Sequence, residues 1–115
     1  MHELSIAKNI IQLAREHLTA EEEVRLRTIK VNVGTFSTIV PAQLVFGFEA
    51  AREDTPLRQA ELDITMIPLR IKCYSCGEET EIDPVDFICP SCSSPNIEII
   101  AGNELTITDL EISDS

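Results

Sequence analysis

The sequence predicts an α+β fold: two helices on a three-stranded mixed or antiparallel sheet, with a small cysteine-containing module inserted before the last strand. Hydrophobic residues recur at helical spacing in two segments and alternate in three others, and four cysteines lie before the last alternating segment. With 115 residues, 43% of them hydrophobic and 4% aromatic, the chain is long enough for one domain with an aliphatic core and a small insert.

The two predicted helices are residues 2–18 and a segment that begins at Pro41 and runs toward Thr55. The first has Glu3 in its first turn, where a negative charge suits the positive end of the helix dipole. In the second, Pro41 suits the first helical turn, because proline has no backbone N–H and an N–H in that turn would have no acceptor within the helix. The apolar residues that recur at helical spacing in the first helix are Leu4, Ala7, Ile11, Ala14 and Leu18.

Three segments alternate as strands do. The first is residues 24–34, in which a change of parity near Thr28 suggests a bulge. The second has Leu62, Ile64 and Met66 on one face and ends at Pro68, and the third is residues 104–112. The third is too amphipathic to stand alone, so we expect it to return to the sheet that the first two form.

This order of segments predicts the division of the chain. Residues 1–70 form the first part of an α/β domain, residues 71–100 form the insert, and residues 101–115 supply the returning strand. No internal repeat interrupts this organisation.

The net charge of -11 is unevenly distributed, since residues 73–115 hold ten acidic residues and no lysine or arginine. Phosphate contacts need cations, so a nucleic-acid role is not expected for that part. No apolar run approaches the roughly 20 residues of a membrane span, and the N-terminus lacks the pattern of a signal peptide. We therefore expect a soluble cytoplasmic protein with no membrane partner.

The four cysteines have the spacing of a metal site: Cys73, Cys76, Cys89 and Cys92 form two C-x2-C pairs separated by twelve residues. A two-residue gap lets one tight turn direct two thiolates at one ion, and two such turns complete a tetrahedron. The pattern predicts a closed structural Zn²⁺ site within a zinc-ribbon module. Because metal binding supplies much of the stability of so small a module, we expect the insert to be unfolded without metal.

Other uses of the four cysteines are less well supported. Disulfides are disfavoured in a cytosolic chain, and a redox C-x2-C would precede a helical pattern, which neither pair does. Rubredoxin-type iron is the closest competitor because it also uses four thiolates. Such sites are usually surrounded by aromatic residues, and here Tyr74 and Phe87 are the nearby ones.

The N-terminal residues offer a second metal site. The α-amine of Met1, the imidazole of His2 and the amide nitrogens of His2 and Glu3 can reach one ion and close small chelate rings. Deprotonated amides favour square-planar ions such as Ni²⁺ or Cu²⁺. We expect Met1 to be retained, because a large second residue such as histidine disfavours its removal. The chemistry alone makes this site possible, since any Met-His start can chelate weakly.

Five stretches occur in a recognisable order: MHELSIA, VPAQLVFGFE, C-x2-CG and CPSCSSP with the two C-x2-C pairs, and IIAGNEL. In these stretches, and over essentially all 115 residues, the chain resembles the HypA/HybF family of nickel chaperones for hydrogenase maturation. The resemblance implies that His2 is a nickel ligand with Met1 and Glu3 in the same motif, and that the four cysteines hold zinc. It also implies a GTPase maturation partner and a hydrogenase large subunit as recipient. Some family members carry a histidine beside the cysteines, and this sequence does not.

The preferred hypothesis is therefore a nickel metallochaperone and not an enzyme, since no nucleophile–base pair or glycine-rich phosphate loop is recognisable. The alternatives are a zinc-ribbon protein–protein adaptor without nickel function and a rubredoxin-like electron carrier. His17 lies near the predicted end of the first helix, where an imidazolium suits the dipole. We interpret it as a partly packed helix-end residue and not as a ligand.

Overall fold

The computed structural model describes residues 2–37, 39–83 and 86–113. The chain divides into two compact units. The first unit is Met1–Val31, Ile39–Thr65 and Thr106–Ser115, and the second unit is Asn32–Thr38 and Met66–Leu105. No helix among the described residues is long and apolar enough to cross a membrane.

The helices of the first unit are α1 (His2–Glu16), α2 (Ala20–Arg25) and α3 (Pro41–Ala51), and α3 continues into a 3-10 turn at Arg52–Asp54. Helix α1 packs on α3 through its buried face. The two backbones approach closely at Gly47, where an added Cβ would lie 3.4 Å from the Cα of Leu4. The buried side chains of the two helices are Ala7, Ile10, Ile11, Ala14, Leu44 and Phe48.

The central sheet has the order β2-β1-β6, with β1 at Leu26–Gly34, β2 at Glu61–Ile67 and β6 at Leu105–Ile112. Strands β1 and β6 run antiparallel, because Arg25 bonds to Ser113 while Lys30 bonds to Thr108. The predicted return of the last strand to the first two is therefore confirmed, as is the α+β class. The burial of Leu26, Ile29, Val31 and Val33 follows the predicted change of parity.

Three details differ from the prediction. Residues 20–25 form helix α2 instead of leading directly into a strand, because the hydroxyl of Thr19 accepts the Glu22 amide and the Glu22 carboxylate accepts the Thr19 amide. Helix α1 ends at Glu16 and not at residue 18. His17 follows that end and is exposed, so it is not partly packed.

The second unit is built on a sheet of order β4-β3-β5, in which β3 is Arg70–Cys73, β4 is Glu79–Glu81 and β5 is Ile97–Ala101. Both neighbours pair antiparallel with β3. The first pair of cysteines lies at the turn from β3 to β4, and the second pair precedes β5. This sheet therefore positions the chain where it enters the first cysteine pair, at the end of β3, and where it leaves the second pair, toward β5.

Candidate metal centre

The thiols of Cys73, Cys76, Cys89 and Cys92 lie within 4.8 Å of one another. Each C-x2-C pair has a buried first cysteine and an exposed second cysteine, and none of the four is in a disulfide. The sulfur atoms of Cys73 and Cys92 are 3.6 Å apart, and those of Cys76 and Cys89 are 3.7 Å apart. A disulfide would need about 2.05 Å, so these thiols are arranged around a common centre.

The sulfur spacing matches a tetrahedral zinc site. With Zn–S bonds of about 2.3 Å, the edge of the sulfur tetrahedron is about 3.8 Å. The observed separations of 3.6 and 3.7 Å are within about 0.2 Å of that edge. Four thiolates leave no open coordination position, so the cluster fits a structural ion and not a catalytic one.

Each cysteine pair lies in a six-residue turn, which we call the first knuckle (residues 73–78) and the second knuckle (residues 89–94). The backbone hydrogen bonds of the two are equivalent. In the first, the Cys73 amide donates to the Glu78 carbonyl at 2.9 Å and the Gly77 amide donates to the Cys73 carbonyl at 2.8 Å. In the second, Cys89 and Ser94 form the same bond at 2.9 Å, and Ser93 donates to Cys89 at 2.7 Å.

The fifth residue of each knuckle is in the left-handed region of backbone conformation. It is Gly77, with φ of 78°, in the first knuckle and Ser93, with φ of 60°, in the second. Glycine adopts this conformation at little steric cost, whereas serine does not. The two turns thus reach the same shape from different residues.

Side chains also join one knuckle to the other. The hydroxyl of Ser75 lies 2.8 Å from that of Ser94, and the hydroxyl of Ser91 donates to the carboxylate of Glu78. In both bonds, the third residue of one knuckle meets the sixth residue of the other. The two close sulfur pairs likewise join the first cysteine of one knuckle to the second cysteine of the other. The knuckles are therefore related by an approximate two-fold axis.

Backbone amides, desolvation and neighbouring thiols shift the pKa values of Cys73, Cys76 and Cys92 in different directions. The amide of Cys76, 3.5 Å from the Cys73 sulfur, is the main cause that lowers the pKa of the Cys73 thiol to about 6. The Glu78 amide also acts to lower the pKa of Cys76, but desolvation and the neighbouring thiols outweigh it and raise that pKa to about 12. The pKa of Cys92 is raised as well, because the bond to Cys73 and desolvation outweigh the Ser94 amide. Four thiolates at this spacing need a cation to offset their repulsion.

The structure brings together all four cysteines that the spacing identified. The joining side chains Ser75, Ser91 and Ser94 were missed, although the serine between the cysteines of each pair was a visible signal. The predicted nickel ligands Met1, His2 and Glu3 are not tested by the structure, because Met1 and the side chain of His2 lie outside the described part of the chain. Glu3 is described, and its carboxylate accepts the Val40 amide at 3.3 Å.

Comparison with known proteins identifies the family. A family model described as hydrogenase/urease nickel incorporation, metallochaperone, HypA matches residues 1–112. The hydrogenase maturation factor HypA of Desulfatibacillum aliphaticivorans is 38% identical over 115 residues, which is 99% of this chain and 88% of the relative. The HypA protein of Aquifex aeolicus is 31% identical over 112 residues, which is 97% of each chain.

Solved structures agree with the sequence comparison. The solution structure of the Ni metallochaperone HypA from Helicobacter pylori superimposes with a TM-score of 0.68 at 28% identity, over 96% of each chain. A second solution structure, of a HypA protein, gives a TM-score of 0.74 at 28% identity and covers 100% of this chain and 98% of the other. From the family match, the identities and the shared fold, the chain belongs to the HypA family of hydrogenase/urease nickel-incorporation proteins, which are metallochaperones and not enzymes.

Proposed function

We propose that this chain is a nickel metallochaperone that binds Ni(II) at Met1, His2 and Glu3 and delivers it for [NiFe]-hydrogenase maturation. The observation that carries the proposal is the match of residues 1–112 to a nickel-incorporation family, since that match includes the N-terminal tripeptide. In this proposal, the ligands are the Met1 amine, the His2 imidazole and the amide nitrogens of His2 and Glu3. Such a nitrogen set favours a square-planar ion.

The start of α1 at His2 supports this ligand set. The first four amides of an α-helix have no acceptor within the helix, so the amides of residues 2 and 3 can lose their protons without breaking a helical bond. A bare cation at this end would be repelled by the positive end of the helix dipole. Two deprotonated amides offset the charge of Ni²⁺ and remove that repulsion.

The side chain of Glu3 supports a role beside the ion. Val40 is the N-cap residue of α3 and has no side-chain cap, and its amide donates to the Glu3 carboxylate. Glu3 thus ties the first turn of α1 to the start of α3, next to the close approach of Gly47 and Leu4. We therefore assign the backbone amide of Glu3 to the chelate and its carboxylate to the anchoring of α1.

We further propose that Cys73, Cys76, Cys89 and Cys92 hold a structural Zn²⁺. The sulfur separations of 3.6 and 3.7 Å support a tetrahedral ion. In this proposal, residues 71–100 are a zinc-ribbon insert between residues 1–70 and the strand within residues 101–115. Zinc maintains the shape of the insert while nickel is bound and released elsewhere.

The role in hydrogenase maturation implies contact with the maturation machinery. We propose a nickel-maturation GTPase and the hydrogenase large subunit as partners, and the cytoplasm as the location. The zinc-ribbon adaptor without nickel function is the alternative outcome of the test that follows.

Competitive nickel titration of the zinc-loaded protein tests the proposal. Native protein, a form with an N-terminal extension and His2→Ala are compared, and zinc content is measured in each. We expect the extension and His2→Ala to abolish specific nickel binding while one equivalent of zinc and the helical circular dichroism remain. Nickel binding of native strength in the extended form would refute the N-terminal chelate and favour the adaptor.

A further inference from the structure

We infer that the two hydrogen bonds between the knuckles, Ser75–Ser94 and Ser91–Glu78, act as a specificity device that holds the thiolates in a tetrahedron accepting Zn²⁺ and rejecting Ni²⁺. We call these two bonds the clasps. The inference rests on the proposed function, in which zinc is resident at the cysteines and nickel is the cargo. Ser75, Ser91, Ser94 and Glu78 are positioning residues here, because their side chains join the two knuckles to each other and none binds the ion.

A nickel carrier needs such discrimination. Divalent nickel and zinc both bind thiolates, and the general order of affinities gives zinc no assured advantage over nickel. The choice between them depends on geometry, because Zn²⁺ has no preference from its d electrons and Ni²⁺ favours a square plane. A four-thiolate site that could flatten would therefore capture the cargo.

The internal bonds of each knuckle leave one motion by which the site can flatten. The bonds Cys73–Glu78 and Gly77–Cys73 fix the first knuckle as a unit, and their equivalents fix the second. A tetrahedron places the two cysteine pairs at right angles, whereas a square plane places all four sulfurs in one plane. Flattening therefore needs a relative turn of the two knuckles about the axis between them.

The clasps oppose this turn. The approximate two-fold axis places the Ser75–Ser94 bond on one side of the site and the Ser91–Glu78 bond on the other. A rotation of one knuckle by about 90° relative to the other would separate the partners of both hydrogen bonds and break them. Ser94 is further held by the 3.1 Å bond from the Asn96 amide to its hydroxyl, so the second knuckle offers a fixed partner.

The test removes both clasps with Ser75→Ala and Ser91→Ala in a His2→Ala background, so that nickel is read at the cysteines. Zinc and nickel affinities are measured by chelator competition, and the absorbance of the nickel form reports its geometry. Loss of a partner next to a metal ligand typically costs about 10- to 100-fold in affinity. We expect zinc affinity to fall about tenfold, nickel affinity to rise relative to zinc, and the nickel form to absorb as a square-planar complex.

The matched control keeps both hydrogen bonds with conservative replacements, Ser75→Thr and Glu78→Gln, because a threonine hydroxyl and a glutamine carbonyl still make them. This variant should retain the zinc-to-nickel ratio of the parent. Ser91→Ala alone serves as a milder variant if the double variant does not fold, and its ratio should fall by a smaller factor. An unchanged ratio in the clasp variants, or an equal loss of both metals, would overturn the inference.

The same measurements separate the failure of the inference from that of the proposed function. If protein with intact serines holds no zinc at the cysteines, the zinc assignment fails and the inference fails with it. If His2→Ala alone leaves nickel binding unchanged, the N-terminal nickel site fails. Nickel at the cysteines is then identified by its thiolate-to-nickel charge-transfer absorbance, and the zinc-to-nickel ratio measured from that absorbance still decides the inference.

Discussion

The first and second knuckles follow the same backbone course although three of their six residues differ: CYSCGE against CPSCSS. The shared residues are the two cysteines and the serine between them. Tyr74 donates its amide to Asn96 at 3.0 Å, whereas Pro90 at the same position has no amide to donate. The comparison shows that the turn depends on the cysteines, on a left-handed fifth residue and on the shared backbone bonds, and tolerates variation elsewhere.

The knuckles differ more in their surroundings than in their shape. The first lies between two paired strands, β3 and β4, and Cys73 is itself the last residue of β3. The second is followed by β5 and has no described strand directly before it. The first knuckle has a glycine at the left-handed position, and the second has a serine. The second is therefore the more strained half of the site and depends more on the metal.

Of the substitutions considered, Cys89→Ala should cause the largest difference between the two knuckles. The site would keep three thiolates and an open coordination position. We expect zinc affinity to fall by more than about 100-fold, because loss of a ligand should cost more than loss of a residue that only hydrogen-bonds to a ligand. The amides of the second knuckle should then lose hydrogen-exchange protection before those of the first. Zinc content after chelator competition measures the loss. One equivalent of zinc retained in Cys89→Ala would contradict the four-cysteine assignment.

Replacing Gly77 with alanine should weaken the first knuckle by a smaller amount. Within the described part of the chain, no atom beyond the neighbouring residues lies within 4 Å of a Cβ added there, so the cost comes from the left-handed backbone. That cost is about 1 kcal/mol, or about a fivefold loss of zinc affinity. Urea unfolding of the zinc-loaded protein checks the loss of stability. Gly77→Asn is the control, and it should lose less, since asparagine tolerates this conformation better.

Replacing Ser93 with glycine should have the smallest effect and the opposite sign. Glycine relieves the strain at φ of 60°, but its greater freedom in the unfolded chain offsets part of the gain. We expect a net stabilisation of about 0.5 kcal/mol in the same urea measurement. Ser93→Ala removes the hydroxyl without relieving the backbone and should give no gain. Equal stabilities of the glycine and alanine variants would show that the second knuckle is not strained.

Much of the fold could be predicted because hydrophobic spacing is set by local geometry. The positions of α1, α3 and the three strands of the central sheet all follow from it. Helix α2 was missed because its glutamates and Val24 were read as the approach to a strand, yet Val24 is exposed. The sequence does carry the signal, a threonine followed three residues later by Glu22, which is the pattern of a capping box.

The candidate site also has features that could be predicted from the sequence and features that could not. The cysteine spacing identified the four thiols because each pair needs a single local turn. The clasps were not predictable, because a bond such as Ser75–Ser94 joins residues 19 positions apart and depends on how the two knuckles face each other. The strain at Ser93 was hidden for a similar reason, since a serine gives no sign of its backbone angles. It becomes visible when Ser93 is aligned with Gly77.

The pairing of β3 with β5 gives the zinc site a consequence for the order of folding. Cys73 pairs with Ile97, so without metal the chain must close a loop of 24 residues to place β5. An ion that already joins Cys73 to Cys92 leaves 5 residues to close, because Ile97 follows Cys92 at that distance. The entropy saved is about 1.4 kcal/mol, which speeds closure about tenfold if the transition state contains the loop. We therefore expect zinc bound by both knuckles to act as a folding nucleus, and β5 to pair with β3 after it.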